Sequence, residues 1–139
     1  MNEIVREFLL ETNENLAQLD LDLVSLEKDP TEKETLARVF RSLHTVKGTA
    51  GFLGLPKLQA VAHAAEGLLS RLRDGEVRFN PEIASGLLAT VDAVRRMLDA
   101  LEKTEGEGND DHAPLIHLLE QLTKGIPDDG NSPPAVPDP

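Results

Sequence analysis

Along most of the chain, apolar side chains return every third or fourth position with charged residues between them, the period of helices that bury one face. From Glu3 to about Glu27 the stripe is Val5, Phe8, Thr12, Leu16, Leu19, Leu23 and Leu26, while Glu7, Glu11, Glu14, Asp20, Asp22 and Glu27 fall elsewhere. Lys28-Asp29-Pro30 breaks this helix, and Thr31-Glu32-Lys33-Glu34 reads as a capping box at the start of the next. The second helix runs to about Leu53, with Leu36, Val39, Leu43, Val46, Ala50 and Leu53 on one arc. Gly51 and Gly54 loosen its end, and Pro56 suits the first turn of a third helix reaching Arg73. That helix turns Leu58, Val61, Ala62, Ala65, Leu68, Leu69 and Leu72 inward, and Asp74-Gly75-Glu76 closes it. Asn80 caps a fourth helix opened by Pro81, with Ile83, Leu87, Val91, Val94, Leu98 and Leu101 as its stripe. A glycine-rich acidic link, 105–110, leads to a shorter fifth helix, roughly His112 to Lys124, presenting Leu115, Leu118, Leu119 and Leu122.

Four long amphipathic segments on short connections predict an all-α fold, an antiparallel up-down four-helix bundle with an additional C-terminal helix. The pattern leaves open whether the fifth helix lengthens the bundle or docks on its side. Residues 1–124 form one domain in this reading. The Pro/Gly/Asp-rich run 125–139 has almost nothing to bury and is expected to be a disordered linker.

Charge narrows the function classes. A net charge of −11 argues against nucleic acid, which needs a basic stripe. The chain has no cysteine, so disulfides and thiolate metal sites are out. The start at Met1 lacks the basic, apolar pattern of a secretion signal, and no apolar run is long enough to span a membrane. A soluble, cytoplasmic protein that meets a protein partner or a small ligand, away from the membrane, is the expectation.

One polar residue stands out against this frame. At about 100° per residue, His44 lies on the shoulder of the second helix, beside its apolar arc. Lys47 and Gly48 share its face, so the imidazole has one cation and little bulk around it. If the second and third helices turn near Leu55, His44 and Glu66 stand equally far from the turn, at one height. A carboxylate there would accept from Nδ1–H and leave the Nε2 lone pair outward, which is what a nucleophilic histidine needs. Lys47 would then meet the oxygens of an arriving phosphoryl group. His63 is a surface residue that could help from the periphery, and His112 and His117 are also read as surface residues. The rival chemistry is a metal site built from His44, His63 and Glu66, but these residues supply only one His-x-x-Glu pair, His63 with Glu66, and Lys47 would repel the cation.

The run Leu43-His44-Thr45-Val46-Lys47-Gly48, then Gly51-Phe52-Leu53-Gly54-Leu55, then His63-x-x-Glu66-x-Leu68-Leu69, resembles the histidine phosphotransfer (HPt) domain. The likeness is to the amino-terminal domain of chemotaxis histidine kinases of the CheA class and covers about residues 1–124. It implies that His44 accepts phosphate on Nε2 from ATP and then passes it to an aspartate of a CheY-type response regulator. It further implies Lys47 as the cation beside the site, Gly48 as the small residue that permits approach, Glu66 as the Nδ1 partner and His63 as a more distant neighbour. ATP and Mg would be bound by a separate kinase domain, since no nucleotide loop and no cofactor motif occurs here. The fragment would thus be a relay within a phosphotransferase and have no catalytic activity alone. The alternative is a helical adaptor that binds proteins without chemistry.

Overall fold

The computed structural model describes residues 2–104 and 106–125. It contains five helices: α1 (Glu3–Lys28), α2 (Lys33–Leu53), α3 (Pro56–Arg73), α4 (Pro81–Thr104) and α5 (Ala113–Thr123). The expected linker, apart from Gly125, lies outside the described residues. Among these residues no helix is long and apolar enough to cross a membrane.

Each long helix buries the stripe its sequence predicts, except that Val5 and Leu53 are only partly covered, and α4 buries Met97 in addition. Leu16, Leu19 and Leu26 of α1, Val39, Leu43 and Val46 of α2, Leu58, Val61, Leu68 and Leu69 of α3, and Val94 and Met97 of α4 are all withdrawn from solvent. Helix α1 packs on α2 and α4, and α2 packs most extensively on α3. The α2–α3 connection is short. Gly54 adopts a left-handed conformation (φ 74°) that a side chain would strain, and the Leu55 N–H returns to the Ala50 carbonyl at 2.9 Å. This places two antiparallel helices side by side. Gly51 does not end α2 and lies within its last turn.

Helix α5 docks on the side of the bundle, against α3 and α4. Gly86 makes room for it: a Cβ at that position would stand 3.0 Å from a Leu122 methyl group. Leu119 and Leu122 are buried there, whereas Leu115 and Leu118 are only partly covered.

Three local expectations are corrected. The predicted Thr31–Glu34 capping box is not formed, because α2 starts one residue later. Glu32 is the capping residue, accepting from the Thr35 N–H at 2.9 Å and the Thr35 hydroxyl at 2.6 Å, while Thr31 turns to Asp29. Asp22, read as lying off the apolar stripe, is 2% exposed; the Arg38 guanidinium grips both its oxygens, and the Gln18 amide donates at 3.1 Å. A buried carboxylate is tolerable only with such partners. His112 is buried as well. It is left-handed (φ 56°) in the turn before α5, where its N–H donates to Asp110 at 2.8 Å.

The acidic link between α4 and α5 has a structural task. Leu55 gives α3 no side-chain cap; instead the Glu107 carboxylate accepts from the backbone N–H groups of Lys57 (3.0 Å) and Leu58 (2.9 Å). The Lys57 ammonium donates to the Gly108 carbonyl at 2.8 Å. A carboxylate on these unsatisfied donors also complements the positive end of the helix dipole.

Candidate functional site

The α2–α3 hairpin sets His44 and Glu66 beside each other, as the count from the turn predicts. The His44 side chain is 62% exposed, and that of Glu66 is 11% exposed. His44 Nδ1 hydrogen-bonds Glu66 Oε2. The other carboxylate oxygen, Oε1, receives the Lys47 ammonium at 2.6 Å. His63, one turn before Glu66, is exposed, with Nδ1 3.8 Å from Oε1. Three predicted polar residues, His44, Lys47 and His63, therefore converge on the carboxylate of the fourth, Glu66, His63 the most loosely.

Electrostatics follow from this geometry. Burial pushes the Glu66 pKa up, but the hydrogen bonds from Lys47 and then His44 outweigh it and hold the group below its ordinary value. Glu66 is thus an anion near neutral pH. An ionised carboxylate only accepts hydrogen bonds, so Nδ1 carries the proton and Nε2 of a neutral ring carries the lone pair. With one oxygen on an imidazole and the other on an ammonium, the carboxylate is committed, which also weighs against the rival metal reading.

Gly48 lies on the exposed surface of α2, and a Cβ there would meet nothing within 4 Å. The fold does not need a glycine at this position. Its effect is to keep the surface beside His44 low.

Two residues escaped sequence reasoning. The Phe40 ring stacks on the imidazole, with centroids 6.0 Å apart and planes 12° apart. Arg73, the last residue of α3, lays its guanidinium 4.4 Å over the Phe40 centroid. The i, i+4 spacing of Phe40 and His44 was visible; the ring orientations and the reach of Arg73 were not.

The chain matches the family model of the Hpt domain over residues 3–104. Among curated proteins it is 38% identical over 109 residues to the sensor histidine kinase CheAY of Helicobacter pylori, covering 78% of this chain and 14% of that protein. It is 31% identical over 136 residues to the chemotaxis protein CheA of Salmonella typhimurium, covering 98% of this chain and 20% of that one. The chain therefore spans a fifth or less of the length of these relatives. Among solved structures it resembles the phosphorylated P1 domain of CheA3 in complex with CheY6 from R. sphaeroides, at 25% identity and TM-score 0.80, covering 90% of this chain and 98% of that one. It also resembles the CheA phosphotransferase domain from Thermotoga maritima, at 32% identity and TM-score 0.70, covering 73% of this chain and 99% of that one.

Proposed function

Since the chain belongs to the Hpt domain family, which covers residues 3–104, we propose that it is the phosphoacceptor part of a chemotaxis-type histidine kinase. In this reading His44 takes a phosphoryl group from ATP held, with Mg, by a separate kinase domain, and gives it to an aspartate of a CheY-type response regulator. The observation that carries it is the pairing of His44 Nδ1 with an ionised, Lys47-bound Glu66 on an exposed face.

The chemistry follows from that pairing. Nε2 attacks phosphorus, the N–P bond forms as the bond to the leaving diphosphate oxygen breaks, and the ring acquires a positive charge shared with Nδ1–H. The Glu66 carboxylate meets that charge as it develops, so its hydrogen bond is stronger in the transition state than before it, which is the condition for lowering a barrier. Lys47 keeps Glu66 ionised and aimed, and in this reading its remaining N–H groups meet the incoming phosphoryl oxygens. On transfer to the regulator the N–P bond breaks and the ring returns to neutral with its Nδ1 proton in place. Nothing in the cycle requires the ring to lose that proton. Gly48 leaves the approach to Nε2 free for both partners.

The test is to incubate the chain with a purified chemotaxis kinase core and labelled ATP, then with a response regulator. Native chain should take label that survives alkali and is lost in acid, and should pass it to the regulator. His44→Gln should keep its helical content and take none, because glutamine has no nucleophilic ring nitrogen. Label on His44→Gln, or none on the native chain, would refute the reading.

A further inference from the structure

The hydrogen bond to Glu66 holds the His44 ring at one atom only. With 62% of the side chain exposed, little else restrains it. The torsion that turns an imidazole about its Cβ–Cγ bond is broad, and the Nε2 lone pair lies in the ring plane. A ring that swings therefore moves its lone pair off the line of attack, even with Nδ1 still bound.

Phe40 supplies the missing restraint. It sits one turn before His44 on α2, in near-parallel contact with the imidazole. Offset stacks at this separation are favourable beyond the area they bury. The stacked ring blocks rotation through the face and leaves the in-plane approach to Nε2 open. Phe40 is itself held from α3: the Arg73 guanidinium lies over its ring, and Arg73 is fixed in turn by Asp74 at 3.3 Å and the Ser70 hydroxyl at 3.5 Å. Two links thus tie the imidazole to α3, Glu66 to its edge and Arg73, through Phe40, to its face. They stand two turns apart on α3.

We propose that Phe40 and Arg73 are a positioning pair for phosphoryl acceptance: Phe40 fixes the plane of the His44 ring, and Arg73 fixes Phe40. The proposal rests on the reading of His44 as the phosphoacceptor. On this proposal neither residue touches the phosphoryl group, so their effect belongs to the reactivity of the ring and not to the binding of a partner.

The test uses two donors. Phosphoramidate is small enough to need no docking; Nε2 displaces ammonia from phosphorus, and the rate reads the ring itself. The purified kinase core with ATP reads ring and docking together. Phe40→Leu keeps the apolar volume and removes the stack. It should slow labelling of His44 by phosphoramidate about two- to thirteenfold, the range a lost aromatic pair converts to. With the kinase core it should lower kcat by a similar factor and leave KM unchanged. Phe40→Tyr should restore both. Arg73→Gln should show a smaller loss that disappears in the Phe40→Leu background, as expected for a residue acting through Phe40. In NMR spectra taken without any donor, the His44 ring protons should shift in Phe40→Leu while the Nδ1–H tautomer persists.

An unchanged phosphoramidate rate, or a change in KM alone, would overturn the proposal and make Phe40 a partner contact. A full Arg73→Gln effect in the Phe40→Leu background would show that Arg73 acts by its charge and overturn the pairing. If the native chain takes label from phosphoramidate but none from the kinase core, the phosphorelay reading fails, while the phosphoramidate rates and ring signals still decide the role of Phe40.

Discussion

Glu66 carries the most consequential single contact in the molecule, since it faces an imidazole with one oxygen and an ammonium with the other. Glu66→Ala should let the His44 ring populate both tautomers and slow phosphorylation. A lost hydrogen bond to a charged group is worth about 1.5–3 kcal/mol, so the slowing should be roughly ten- to a hundredfold, read as the initial rate of labelling. An unchanged tautomer ratio in nitrogen NMR would contradict the contact. A pH dependence follows as well. Because the folded-state pKa of Glu66 is depressed, its contribution to stability is full above the ordinary glutamate range and is lost as pH falls through the folded value. Native chain should therefore lose ground to Glu66→Gln as acid is added, in denaturant midpoints measured against pH. A constant difference down to the lowest pH at which both fold would oppose this. At this scale the sequence was informative wherever distance along a helix decides position: equal counts from the turn put Glu66 opposite His44. It was silent about Phe40 and Arg73, because contact there depends on side-chain torsions and on a flexible arginine crossing from the end of α3.

The helix boundaries show what local chemistry can and cannot announce. Asn80 caps α4 as expected, with its side-chain oxygen 2.8 Å from the Ile83 N–H, since cap and helix are adjacent in sequence. Helix α2 had two overlapping solutions, Thr31 with Glu34 or Glu32 with Thr35, and the chain takes the second. Helix α3 takes its cap from Glu107, about fifty residues away in sequence, which no local pattern reveals. Glu107→Ala should cost about 1–2 kcal/mol, as loss of a helix cap does, and thermal unfolding will show it; an unchanged midpoint would mean that water serves those donors as well. On α2, Gly48→Gln should favour the helix by a few tenths of a kcal/mol or more, since a Cβ there meets nothing. It should at the same time slow loss of label from His44 to a response regulator, because the added side chain stands where the regulator approaches. Stability and transfer would then move in opposite directions. Faster or equal transfer would remove the role given to Gly48.

For the whole molecule, apolar periodicity was sufficient to predict the bundle, because each long helix buries a continuous stripe. It did not foresee where polar groups join the interior. Asp22 becomes buried because Arg38 of the next helix reaches it, and His112 because the turn before α5 folds inward. Such placements depend on partners far along the chain. The docking of α5 on α3 and α4 was likewise undecided, for a short amphipathic helix fits any exposed apolar seam of its length. The folded body of the bundle holds the exposed His44 imidazole with its Nδ1 on Glu66, and the proposed relay depends on Nε2 being the nitrogen left for phosphorus. It can be measured directly. Chain labelled with nitrogen-15 in its histidines, phosphorylated by a kinase core and ATP, should show phosphorus–nitrogen coupling to Nε2 of His44, with Nδ1 of the same ring still protonated. Coupling to Nδ1 of His44, or to a ring nitrogen of His63, His112 or His117, would contradict the claim.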